Sequence, residues 1–154
     1  MIGNVRRLKI LSRSLFVLYL FVAIYFLFFS EAMGRTVASQ GYRYNLVLFK
    51  EINRFLSNVG TLGLYAVVLN IAGNILVFIP FGLLVPVISI QKRGFLFVAF
   101  MAFGFSLLVE AVQLILKIGC FDVDDLLMNT IGGCIGYLIF LVYRKISYRR
   151  KTAG

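Results

Sequence analysis

Four stretches of this sequence are apolar for long enough to cross a lipid bilayer, and that leaves few folds open to it. A helix needs about 20 mostly apolar residues to span the hydrocarbon core. Residues 14–29, 62–90, 95–116 and 126–143 form such runs, the first and last being short but extended by Ile10, Leu11 and Ile146. Lipid offers no hydrogen bonds, so backbone polar groups must be satisfied within each segment and every run reads as a helix. The expectation is an all-α integral membrane bundle of four transmembrane helices. Composition agrees: 61% of the 154 residues are hydrophobic and 14% are charged, too polar-poor for an ordinary soluble domain. Pro80 and Pro86 lie inside the second run and predict that it kinks or ends early.

The formal charge of +10 would suggest nucleic acid in a soluble chain. Here the basic residues flank apolar spans, so the charge reads as orientation and no nucleic-acid partner is expected. Arg6, Arg7, Lys9 and Arg13 precede the first span, Lys92 and Arg93 sit between the second and third, and Arg144, Lys145, Arg149, Arg150 and Lys151 follow the fourth. All three segments fall on one side of a four-span topology, which the positive-inside rule makes cytoplasmic. The expected organisation is a cytoplasmic basic N-tail at 1–13, one membrane domain at 14–143 with an outer loop at about 30–61, and a cytoplasmic basic tail at 144–154. A cleaved signal peptide ending near Ser30 and Ala32 is the competing reading of the N-terminus, although the apolar run exceeds the ~7–15 residues of such a segment.

Against this background the acids stand out. The chain has six, and Glu110, Asp122, Asp124 and Asp125 are four of them. Carboxylates near hydrocarbon are costly and mark either a structural partner or a function. Ser106, Glu110, Gln113 and Lys117 share one face of the third span, Asn70 and Asn74 one face of the second. Asp122, Asp125 and Asn129 share a face of the fourth that continues into Gly132, Gly133 and Gly136. At the usual helical rise, Glu110 lies ~10 Å below Lys117 and Asn129 ~6 Å below Asp125, so these groups fall in the outer half of the bilayer. They should turn toward one another as a polar pocket opening outward.

Structural readings stand beside that one. Asp122 is a ready N-cap for the fourth helix, with Asp124 and Asp125 in its first turn where the macrodipole favours negative charge. Glu110 can pair with Lys117 or be protonated. Asn70 and Asn74 suit interhelical hydrogen bonding, Gly132 and Gly136 form a close-packing pair, and Gly104 predicts another close approach. Cys120 and Cys134 would lie ~20 Å apart on helical geometry, too far to bridge. With no histidine in the chain, imidazole bases and the commonest transition-metal ligand are excluded.

In the outer loop, Tyr42, Arg43, Tyr44, Lys50 and Glu51 interleave aromatics with charges, while Ile52, Phe55, Leu56 and Val59 recur at helical spacing. That pattern predicts a segment lying in the membrane interface. Folded over the acids, it would bring Arg35, Arg43, Lys50 and Arg54 to their mouth, where phosphate or carboxylate groups can be held.

The run from Asn74 to Gly82 (NILVFIPFG), the Glu110 and Gln113 pair, and the block from Phe121 to Gly133 (FDVDDLLMNTIGG) followed by Gly136 and Tyr137 resemble the signature blocks of VanZ-like membrane proteins. The similarity reaches back to Asn45–Phe49 and covers roughly residues 45–140. The resemblance implies a small multi-span protein of the bacterial cytoplasmic membrane, in a family named for an accessory protein associated with reduced teicoplanin susceptibility. Positions matching its pattern are Asn45, Phe49, Asn74, Pro80, Gly82, Glu110, Gln113, Asp122, Asp124, Asp125 and Asn129. The chain departs from it at Leu48, where proline is frequent, and at Ile118–Cys120, where an arginine is frequent.

The leading functional expectation is an envelope protein with no assigned catalytic residue. Its outward pocket would engage a lipid, a cell-wall precursor or a lipoglycopeptide through Asn45, Lys50, Arg54, Asn70, Asn74, Glu110, Gln113, Asp122, Asp124, Asp125 and Asn129. Two alternatives stand. One is an intramembrane enzyme on a phosphate-bearing lipid, with Glu110, Asp124 and Asp125 as catalytic candidates and Glu110, Asp122 and Asp125 holding a divalent cation. The other is a small transporter subunit with Glu110 as carrier, whose four short spans would need oligomerisation to build a path. No organic cofactor is expected, and homo-oligomers are compatible with all three.

Overall fold

The computed structural model describes residues 2–29, 41–89, 91 and 93–152. Its elements are α1 (Ile2–Phe29), β1 (Tyr44–Asn45), α2 (Lys50–Ser57), α3 (Val59–Leu62), α4 (Leu64–Ile88), α5 (Phe95–Leu116), β2 (Phe121–Asp122) and α6 (Val123–Thr152). Four helical stretches are long and apolar enough to cross a membrane: Ile10–Phe28, Val67–Ile88, Phe95–Leu116 and Val123–Arg149. The chain is an all-α membrane bundle. One end carries the 41–63 segment and the α5–α6 turn and is called here the loop end; the other carries Arg93 and the basic stretch of α6.

The helices outrun the apolar runs that mark them. Both basic tails are helical, α1 from Ile2 and α6 through Thr152. At its start α6 gains a turn over the expected Leu126, because Asp122 accepts the Asp124 amide at 2.8 Å and caps it. The second run neither ends early nor breaks, since α4 is continuous through Pro80 and Pro86 to Ile88. Pro80 removes one hydrogen bond, to the Leu76 carbonyl, and packing of the same stretch against α6 holds the helix together.

That packing is backbone on backbone. A Cβ on Gly132 would meet the Ile75 carbonyl oxygen at 2.2 Å, one on Gly136 the Ile79 oxygen at 2.0 Å, and one on Gly82 the Gly133 oxygen at 1.8 Å. Since 75 lies on 132 and 79 on 136, α4 and α6 run parallel. The glycine pair in α6 therefore does what its spacing predicts. Gly104 does not: nothing approaches its Cβ position within 4 Å. It lies on an exposed side of α5, and the close approach expected there is absent among the described residues.

Phe78, Phe81, Val85, Val98, Ala102, Val109 and Tyr137 fill the centre, joined by Ala23 and Leu27 of α1. The Phe81 and Phe105 rings stack at 5.3 Å between centroids. Helix α1 is held by two polar ties as well. The Tyr19 hydroxyl donates to the Val77 carbonyl at 2.9 Å, and the Gln113 amide donates to the Leu27 carbonyl at 2.6 Å. The cleavage point of the competing signal-peptide reading, at Ser30 and Ala32, and Arg35 lie outside the described residues.

Candidate functional site at the loop end

The 41–63 segment has a local problem that the rest of the chain solves. Helix α2 begins after Phe49, which carries no capping acceptor and sits in the left-handed region at φ 64. Its first amides would be left without partners. Asp124, 75 residues further on, supplies the missing acceptor. Its Oδ1 accepts from the Phe49 N–H, and its Oδ2 accepts from Glu51 N–H at 2.9 Å and Ile52 N–H at 3.2 Å. The Asp124 side chain is fully buried, so a carboxylate from α6 caps α2 in a desolvated setting where such bonds are strong.

A second tie lies alongside. Tyr44 and Asn45 pair in parallel with Phe121 and Asp122, and the Phe121 N–H donates to the Arg43 carbonyl at 3.0 Å. No local pattern in the residues predicts this two-residue pairing. Asn45 donates from Nδ2 to Asp122 Oδ1 at 3.1 Å, and its own Oδ1 accepts from Val47 N–H at 3.2 Å, turning the chain toward α2. Glu110 approaches from α5 and accepts the Asp122 N–H at 3.0 Å. Burial, opposed by the bonds from the Asp124 N–H and Asn45 and reinforced by the charges of Asp124 and Glu51, holds the Asp122 carboxyl above its usual range.

Deeper in the bundle, Asn74 of α4 donates to Asp125 Oδ1, and Asn129 donates to Ser106 Oγ at 2.8 Å. The three polar stripes therefore do meet: Asn45, Asn74, Glu110, Gln113, Asp122, Asp124 and Asn129 are all buried. They meet largely by bonding to one another and to backbone. Asn70 is half-buried, and its amide makes no hydrogen bond among the described residues.

The candidate cation ligands each bond other groups of the protein. Glu110 bonds the Asp122 amide, Asp122 caps α6 and takes Asn45, and Asp125 takes Asn74. Among the described residues no three of His, Cys, Asp and Glu gather as a metal-holding group. Cys120 and Cys134 are free thiols. Burial, then the charge of Asp122, pushes the Cys120 thiol up, which keeps it protonated and weakly nucleophilic.

What the loop end exposes is apolar and basic. Leu46 and Val47 are 64% and 61% exposed, Leu48 and Phe49 are half-exposed, and Lys50 follows directly. Arg54 pairs with Glu51 at 2.6 Å and lies over Phe55. Lys117 caps α5 in a left-handed conformation, with its ammonium 5.0 Å from the centre of the Tyr42 ring.

The family model described as VanZ/LLP1 matches residues 16–144. The chain is 29% identical to Protein VanZ of Enterococcus faecium over 143 residues, covering 93% of this chain and 81% of that protein. No solved structure matches it. With the match running from the first span to the end of the fourth, and the stapled loop end inside it, this chain belongs to the VanZ/LLP1 family of membrane proteins.

Proposed function

We propose that this protein sits in the bacterial cytoplasmic membrane with its loop end outward, and that this end engages an anionic amphiphile. The class comprises a membrane lipid, a lipid-linked cell-wall precursor or a lipoglycopeptide. One observation carries the reading: the grip of Asp124 on three amides of the α2 start fixes Leu46–Phe49 as a rigid exposed apolar turn ending in Lys50. A turn of that kind suits acyl chains, with the adjacent ammonium suited to a phosphate or carboxylate head. The acids act as its scaffold and leave contact with the amphiphile to the apolar turn, Lys50 and Arg43. Asn45 acts with them by fixing the turn that precedes Leu46.

Positive charges on the two tails and at Arg93 support the outward placement of the loop end. The family relation makes altered teicoplanin susceptibility the cellular phenotype to score. The direct test is native mass spectrometry of gently extracted protein. Anionic lipid or precursor should be retained over zwitterionic lipid, and Lys50→Gln with Arg43→Gln should reduce that retention several-fold. Equal retention of both lipid types, unchanged in the double variant, would remove the reading.

A further inference from the structure

Among the described residues, two buried acceptors in the bundle have no hydrogen-bond partner: Asn74 Oδ1 and Asn129 Oδ1. Both residues are 1% exposed. Buried polar groups are nearly always satisfied, and an orphan inside a membrane span has no lipid donor to turn to. The two flank Asp125: Asn74 donates to its Oδ1, and Asn129 stands one turn further along α6. Ile75, next to Asn74, rests against Gly132, one turn beyond Asn129, where the α4 and α6 backbones touch.

The direction of the Asn74 amide is set by chemistry. Its NH2 group donates to Asp125 Oδ1, and reversing it would set oxygen against carboxylate oxygen. Its own oxygen is thereby turned away from Asp125. Asn129 stands one turn beyond Asp125 on α6 and spends its NH2 group on Ser106 Oγ. That bond, with Gly133 against Ala102, fixes the antiparallel register of α5 on α6 and brings Glu110 level with Asp125. The locality thus offers two free amide oxygens beside a hydroxyl and a carboxylate, all hard oxygen donors.

We propose that the space between α4, α5 and α6 at Asn74 and Asn129 binds an alkali cation, with the two amide oxygens as ligands and Asp125 as the neighbouring negative charge. Neutral amide oxygens with few carboxylates suit a monovalent ion; divalent sites of this type recruit more carboxylate oxygens. This donor set is separate from the Asp122 and Asp124 ties of the loop end and does not depend on what that end engages.

The test is thermal unfolding of the full chain in detergent at constant ionic strength, in choline, sodium and potassium chloride. Sodium or potassium should raise the Tm saturably, by roughly 5 °C or more over choline. Asn74→Leu and Asn129→Leu should each abolish that increment. Asn129→Thr, which keeps an oxygen, serves if the leucine variant does not fold, and should leave a weakened increment. The same Tm in all three salts would mean that only water satisfies the two oxygens and would overturn the proposal. An increment surviving undiminished in the variants would place the ion elsewhere and overturn it equally.

Discussion

Where the loop end of this bundle is joined by carboxylates and amides, the opposite half of the same helices is joined by glycine and aromatic carbon. At the loop end, Asp122, Asp124 and Glu110 accept from donors in other parts of the chain or at the start of α6, while Asn45 donates to Asp122 and accepts from the Val47 amide. Further along, Gly82, Gly133 and Gly136 let α4 and α6 touch, with Phe78, Phe81 and Phe105 packed beside them. The difference follows from backbone. Regular helices satisfy their own amides and need only close surfaces, whereas the irregular 41–57 segment leaves amides open that something must cap.

The sharpest way to break the packed half is Gly82→Ala, whose new methyl would lie 1.8 Å from the Gly133 oxygen. Backbone cannot yield as a side-chain tip does, so the cost should reach or exceed ~3 kcal/mol. Gly104→Ala is its control. With open space at that position and helix propensity in its favour, it should hold or raise stability by roughly 0.5–1 kcal/mol. Thermal unfolding in detergent compares the two.

Breaking the polar half should cost less overall and act locally. Asp124→Ala removes a charged acceptor from three amides and should cost on the order of 2–3 kcal/mol, with limited proteolysis cutting within 46–57 while the spans stay intact.

The smallest effect should come from Asp122→Asn, which keeps an acceptor for the Asp124 and Asn45 donors. Burial holds the Asp122 carboxyl above its unfolded value, so the folded state binds its proton more tightly. Its contribution is therefore present at acid pH and falls as pH rises from the ordinary carboxylate range through the raised one. The substitution should flatten that segment of the stability profile, read as Tm against pH.

Much of this was legible in the residues. Apolar run length placed the four spans, and the polar stripes correctly predicted that α4, α5 and α6 bring their amides and acids together. The spacing of Gly132 and Gly136 predicted their packing. Gly104 misled because a single glycine carries no information about which side of a helix meets a neighbour. The early end expected at the prolines does not occur, because local propensity is overridden where the same turns are clamped by backbone contact with α6. For Asp124 the signal was present: adjacent residues on a helix cannot face one way, so it had to point off the Asp125 stripe. What it points at, the uncapped start of α2, is set by a contact distant in sequence that no local pattern encodes.

The central claim is that the loop-end acids hold the 41–57 segment onto the bundle, and amide hydrogen exchange reads it most directly. In the native protein the Phe49, Glu51 and Ile52 amides should be protected, and Asp124→Asn should speed their exchange by at least tenfold while the amides of α4 and α6 remain unchanged. Equal exchange at those three amides in both proteins would contradict the account.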